Sequence, residues 1–360
     1  MLRVPENPLL TPADIPPSAD GFRVRGAFNP AATVFDGGDG PEVLLLVRVA
    51  EDVPTDDGQV GFPVVRFDEQ SGEARVEAML LDRDDPEVEL KDTRGVRYRG
   101  VDYLSTLSHL RLARSRDGVN FSVDAEPFLM PRRPSERFGI EDARITRIAA
   151  PSDHGGGERY YINYTIVSPD NWATALSSTT DFRTLDDHGV IFHPSNKDVS
   201  IFPTKVAGQY AALHRPNNDG FGKASIWHAT SPDLEHWGHH ACLLRPRDMP
   251  SEAMKIGGGP PCIATDRGWL QMYHGKGEGQ RYTLHLALLD ADDPTRVLAR
   301  TEKPIFEPVE PYETNGFFAG VVFATGLVEF GGRLLCYYGA SDDKTCAFET
   351  SVDELLSLLP

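Results

Sequence analysis

A strand that ends in small hydroxyl residues, runs into an aspartate and is followed by an apolar or aromatic side chain recurs along this chain. It appears as ARSRDGVNF at Asp117, LSSTTDFRTL at Asp181, HATSPDLEHW at Asp233 and ALLDADDPTRVL at Asp293, with the aspartates 64, 52 and 60 residues apart. A repeat of that length suits a four-stranded sheet with its loops, which buries its faces only against neighbouring copies. With terminal segments set aside, the 360 residues hold about five such units. Two β-sandwiches would not require the same turn at this spacing. The expected fold is all-β: a five-bladed β-propeller in one domain over residues 1–360, with 1–20 as an N-terminal extension and 351–360 as a short C-terminal helix.

The segments between the turns agree. Short β-rich runs such as EVLLLVRVA, RYYINYTIV and RLLCYYGAS alternate with Gly, Pro, Asn and Asp. Only SVDELLSLL reads as helix, with Ser351 as cap and Leu355, Leu356, Leu358 and Leu359 to pack it down.

A formal net charge of −18 repels phosphate backbones and acidic bilayers, so neither nucleic acid nor membrane is an expected partner. Cys242, Cys262, Cys336 and Cys346 form no CxxC pair and read as small hydrophobes in a reducing compartment. The opening MLRVPENPLLTPADIPP has no apolar leader core, and no apolar run approaches the ~18 residues of a membrane span. A cytoplasmic protein is expected.

A propeller gathers strand ends around one axis, so site residues should be scattered, about one group per unit. GIEDARIT places Asp142 just before the strand ARITRIAA. A general acid there needs burial or a neighbouring carboxylate such as Glu141, whereas a strand-end salt bridge to Arg144 is the plainer reading. NKDVSIFP supplies Asn196, Lys197 and Asp198; YAALHRP supplies His214 and Arg215; KIGGGPP supplies Lys255; MYHGK supplies Tyr273, His274 and Lys276. Each cation alone reads as solvated surface charge, but several arriving from neighbouring units make an oxyanion pocket. KIGGGPP is no P-loop, because its lysine precedes the glycines. His228, His236, His239 and His240 read as surface histidines rather than metal ligands. Trp172, Trp269, Tyr164 and Tyr282 suit stacking on sugar faces, although most aromatics in a β protein belong to the core.

Taken in order, GAFNPAA, LLLVRVAED, GIEDARIT, YYINYT, NKDVSIFP, LHRP, KIGGGPP, YHGK, YETNGFFAGVVF and YYGASDD resemble the mannoside phosphorylases of glycoside hydrolase family 130. The ten segments cover most of the chain, and the family's five-bladed propellers agree with the repeat count. The resemblance implies inverting phosphorolysis of a β-mannoside: phosphate attacks the anomeric carbon and releases α-mannose 1-phosphate plus the shortened sugar. It assigns Asp142 as the catalytic acid, whose proton reaches the glycosidic oxygen through the mannosyl 3-hydroxyl. It assigns Lys197, Arg215 and His274 to phosphate. Many members carry arginine where this chain has Lys197, and lysine keeps the charge but gives up bidentate recognition.

Asn29, Arg48 and Glu51 match segments near the mannosyl subsite, with Asp52 as the other register for Glu51. Lys255, Tyr282 and Asp342 match further lining positions, with Asp343 as the other register for Asp342, and Glu313 in YETNG matches the entrance. No metal or organic cofactor is expected; inorganic phosphate is the co-substrate and a carbohydrate the partner. A homo-oligomer rests on family analogy alone.

Two other classes stay open. A β-mannosidase or arabinan-type hydrolase on the same scaffold would need a second acid, with Glu313 and Asp198 as candidates; an inverting pair stands ~6.5–9.5 Å apart. A non-catalytic sugar-binding propeller would need neither a protonatable Asp142 nor a converging basic set. Linkage and acceptor depend on loops such as residues 74–100.

Overall fold

The computed structural model describes residues 1–68, 70–92, 95–217 and 220–360; Thr93 and Arg94, within the 74–100 segment, lie outside them. The chain folds as successive antiparallel meanders. The first contains Arg23–Asp36, Pro41–Asp52, Leu107–Ser115 and Ser122–Val123, and the second Gly139–Ala149, Glu158–Ser168, Asn171–Thr179 and Asp186–Phe192. A lone parallel bridge, Gly139 to Ser108, joins these two. The third contains Asn196–Ile201, Tyr210–Pro216, Ile226–Ser231 and Gly238–Leu244. The fourth is built on Lys255–Gly258, Gly268–Lys276, Tyr282–Leu289 and Val297–Arg300. The last joins Val322–Phe330, Arg333–Ala340 and Lys344–Thr350 to Leu2–Arg3 from the opposite end of the chain.

Runs such as VLLLV are apolar at every position because both faces of the sheet are covered. Leu44, Leu46 and Leu110 meet Ile145 and Ile162 of the next meander. Ile148 and Tyr161 meet Val199 and Ile201, Leu213 and Ile226 meet Ile256 and Tyr273, and Leu284 and Leu286 meet Val322 and Cys336. Val328, Leu335 and Tyr337 then pack on Val43, Leu45 and Val47, so the last sheet lies against the first.

The repeated turn has a physical cause. Asp117, Asp181 and Asp233 each accept two following backbone N–H groups, while Ser115, Thr179 and Ser231 accept those of the aspartate and its successor. At the fourth repeat the equivalent of the hydroxyl is Asp290, which accepts from Asp292 and Asp293.

Residues 1–20, expected as an extension, are woven into the fold. Val4, Leu10 and Ile15 are buried, and Leu2–Arg3 completes the last sheet. The helix is Val352–Ser357, with Ser351 Oγ accepting from the Glu354 N–H at 3.1 Å. Leu355, Leu356 and Leu359 are buried, whereas Leu358, expected to pack, is 42% exposed because it falls on the opposite side. A hairpin, Gln59–Phe67 with Ala74–Asp82, and a small sheet, Val88–Asp92, Gly95–Tyr98 and Val101–Leu104, are inserted into the first meander. No helix among the described residues is long and apolar enough to cross a membrane.

Candidate active site

The leading strands of the first three meanders break register at equivalent places: between Phe28 and Ala31, Glu141 and Arg144, and Lys197 and Ser200. Each break holds a left-handed residue, Asn29 (φ 48°), Asp142 (φ 46°) and Asp198 (φ 56°). Asn and Asp tolerate this conformation better than other non-glycine residues, and a bulge re-aims its side chain. All three, with Asp342 (φ 50°), line one cavity of about 580 Å³. In the fourth meander glycine makes the space: a Cβ on Gly257 would sit 2.4 Å from Asp198 Oδ2 and 2.5 Å from His274 Cε1.

Asp142 is buried on one side of the cavity. Its Oδ1 accepts from Asn29 Nδ2 at 2.8 Å and Arg48 Nη1 at 3.0 Å; Oδ2 receives no hydrogen bond from the described residues. Arg48 also donates to Glu141 Oε1 at 2.8 Å and to Ser108 Oγ at 3.0 Å. The simple Asp142–Arg144 salt bridge does not form. Arg144 donates instead to the Asp142 carbonyl and to the carbonyls of Gly258 and Gly259, tying the second meander to the fourth. Burial pushes the Asp142 carboxyl up, but Arg48, Lys197 and Arg144, with the Asn29 hydrogen bond, outweigh it and hold it below the usual carboxylate range. Asp342 goes the other way: burial, reinforced by Asp142 and Glu141, raises it to about 6 against the pull of Arg48 and Lys197.

Lys197, Arg215, Lys255, His274 and Lys276 line the same cavity. Arg215 Nε donates to Asp198 Oδ2 at 2.6 Å and Nη1 to Asn217 Oδ1 at 2.9 Å. Asp198, 1% exposed, also lies 3.6 Å from Arg144 and from His274. Burial raises its pKa, but Arg215, His274, Arg144 and Lys197 hold it far below the usual range, so it is a fixed anionic anchor for the cations. Burial, then Arg215 and Lys197, lower Lys255 to about 7. Burial lowers His274 to about 3, so its imidazole is neutral and offers hydrogen bonds rather than charge. Lys255 and Lys276 lie 5.6 and 5.4 Å from the Tyr282 ring, and Lys197 lies 5.3 Å from that of Trp172.

Of the residues singled out in the sequence, Asn29, Arg48, Asp142, Lys197, Arg215, Lys255, His274, Tyr282 and Asp342 share this cavity. Glu51 does not. It is buried behind the strand, accepting from the Ser18 N–H at 2.6 Å and from the Ser18 hydroxyl, and Asp52 pairs with Arg23. Glu313 does not line it either: Arg3, Tyr338 and the N–H groups of Val309 and Glu310 saturate its carboxylate. Tyr164 and Trp269 are core residues, and His228, expected on the surface, is 4% exposed. Phe28, Asn217 and Phe323 also line the cavity and are not singled out in the sequence, although Phe28 and Phe323 lie within its motifs GAFNPAA and YETNGFFAGVVF and Asn217 directly follows LHRP.

An all-β frame with carboxylates and cations converging on one sugar-sized cavity is that of a carbohydrate-active protein. The comparisons narrow the class. The family model described as beta-1,4-mannooligosaccharide phosphorylase matches residues 96–360. A beta-1,2-mannobiose phosphorylase of Listeria innocua is 43% identical over 99% of this chain and 98% of its own length. A 1,2-beta-oligomannan phosphorylase of a Thermoanaerobacter species is 34% identical over 68% of this chain and 81% of its own. The Listeria innocua enzyme, solved with beta-1,2-mannobiose, superposes with a TM-score of 0.89 at 43% identity, covering 99% of this chain and 98% of that one. The chain belongs to glycoside hydrolase family 130.

Proposed function

We propose that this chain cleaves a β-mannoside by inverting phosphorolysis, yielding α-mannose 1-phosphate and the shortened sugar. One observation carries the reading: Asp142 shares its cavity with the cation set Lys197, Arg215 and Lys255, which suits an anionic nucleophile. Of the other carboxylates lining it, Asp198 is paired with Arg215, Glu141 is paired with Arg48, and Asp342 is pushed toward its neutral form by burial beside Asp142 and Glu141; Glu313 lies elsewhere. Hydrolysis with inversion requires a second carboxylate free to activate water, whereas phosphate arrives as an anion and needs only cations to hold it.

In the proposed step a phosphate oxygen bonds to the anomeric carbon as that carbon's bond to the glycosidic oxygen breaks. The leaving oxygen takes the Asp142 proton by way of the mannosyl 3-hydroxyl. Lys197, Arg215 and Lys255 hold the phosphate charge and neutral His274 adds a hydrogen bond. Arg48, Lys197 and Arg144 hold the Asp142 carboxyl ionised against its burial. Bound phosphate offsets Lys197 and bound sugar displaces water, so both changes move Asp142 toward the protonated form an acid requires. Asn29, Arg48, Tyr282 and Asp342 are assigned to the sugar.

The five-bladed, single-domain propeller belongs to this proposal. It is supported by the sheet-to-sheet packing that runs from each meander to the next and from the last to the first. The β-1,2 linkage is supported by the Listeria innocua and Thermoanaerobacter relatives. A cytoplasmic setting accords with four free cysteines. No cofactor enters the proposed reaction.

The test is product analysis on β-1,2-mannobiose with and without phosphate. Mannose 1-phosphate formed only with phosphate supports the proposal; free mannose formed regardless of phosphate overturns it.

A further inference from the structure

We infer that His154, His188 and Glu235 form a zinc site at the seam between the second and third meanders, away from the cavity. His154 lies in the connection before Glu158–Ser168, His188 lies on Asp186–Phe192, and Glu235 lies in the turn organised by Asp233. Glu235 Oε1 stands 3.0 Å from His154 Nε2 and 3.0 Å from His188 Nδ1, and the donor atoms all lie within 4.8 Å of one another. A tetrahedral site with metal–ligand bonds of about 2.0–2.1 Å has edges of roughly 3.3 Å, so small shifts close these three donors around one ion.

The far side of each ring is also provided for. His154 Nδ1 meets the Tyr161 hydroxyl at 2.9 Å, and His188 Nε2 meets Ser178 Oγ at 2.8 Å. Each hydroxyl can accept the outer ring N–H and so leave the inward nitrogen's lone pair for an ion, as outer partners do in histidine metal sites generally. The imidazoles are 7% and 9% exposed, while the Glu235 side chain at 36% leaves an open side for a water ligand. Two imidazoles and one carboxylate suit zinc, whereas magnesium and calcium prefer all-oxygen sets. Because the donors come from two meanders, the ion would staple neighbouring sheets rather than take part in the chemistry.

The test uses the full chain, treated with chelator and kept in phosphate-free buffer. Zinc chloride should bind with one equivalent lost on mutation and raise the melting temperature, whereas magnesium chloride should not. Glu235→Gln and His188→Ala should each weaken that equivalent at least ten-fold and abolish the zinc-dependent rise, with the phosphorolysis rate unchanged. Metal-free melting of both variants checks folding, and Glu235→Gln, near-identical in shape, serves if His188→Ala does not fold. Zinc binding that is absent, or equal in native and variant chains, overturns the site and leaves a hydrogen-bonded cluster.

Discussion

Asn29 and Asp142, 113 residues apart, meet inside the cavity at 2.8 Å, each held there by a left-handed bulge in its own meander. The pair, with Arg48, spends Oδ1 of the proposed acid and leaves Oδ2 for the substrate. Asp142→Asn should abolish cleavage of mannobiose while the melting temperature stays near native. Asn29→Ala removes a hydrogen bond to a charged group, worth about 1.5–3 kcal/mol, so kcat/KM should fall roughly 10- to 100-fold. It also raises the Asp142 pKa, so the alkaline limb of the pH–rate profile should move to higher pH. An unmoved limb would assign Asn29 to shape alone.

Arg215 and Asp198 form a buried pair at 2.6 Å. Arg215→Ala leaves Asp198 without its main counter-ion, at a stability cost of about 3–5 kcal/mol. Adding Asp198→Asn should restore much of the melting temperature but not the phosphate dependence. In the double variant the KM for phosphate should stay at least ten-fold above native. Recovery of both together would place phosphate elsewhere.

Lys255 is lowered to about 7, mainly by burial. An anion beside it favours the protonated amine, so phosphate affinity gained from Lys255 is present below pH 7 and lost as pH rises through that value. The KM for phosphate should climb more steeply between pH 7 and 8.5 in the native enzyme than in Lys255→Met. Equal slopes would count against this lysine as a phosphate ligand.

Asp342 is raised to about 6, above its value in an unfolded chain. Its contribution to stability is full below the unfolded pKa and disappears as pH rises through about 6, where the carboxylate must ionise in place. Asp342→Asn should therefore stabilise the chain at pH 7.5, on the order of 1 kcal/mol once water in the cavity is allowed for, and by less at pH 5. Thermal unfolding at the two pH values checks this, and activity should drop because the sugar loses an acceptor.

Much of the fold was legible because its signals are local. The bonds that shape the Asp117, Asp181 and Asp233 turns, from backbone N–H groups to the aspartate and the preceding hydroxyl, span three positions or fewer, so one repeated phrase reports one repeated turn. The unbroken apolar runs similarly record sheets covered on both faces. Most site positions could be named because Asn29, Asp142 and Lys197 sit in short motifs.

Which carboxylate does what was not local. Glu51, Asp198, Glu313 and Asp142 are alike in the sequence, yet Ser18 holds the first, Arg215 the second and Arg3 with Tyr338 the third. The fourth lines the cavity with Oδ2 free of hydrogen bonds from the described residues, while Asp198, which also lines it, is neutralised by Arg215 and Arg144. The Glu235 contacts span 81 and 47 residues, and no spacing rule marks them. The amino-acid sequence by itself determined the strands, the turns and the residue types offered to the site. Tertiary structure alone decided their partners, because a buried charge takes its state from whichever groups the closing sheets bring within a few ångströms.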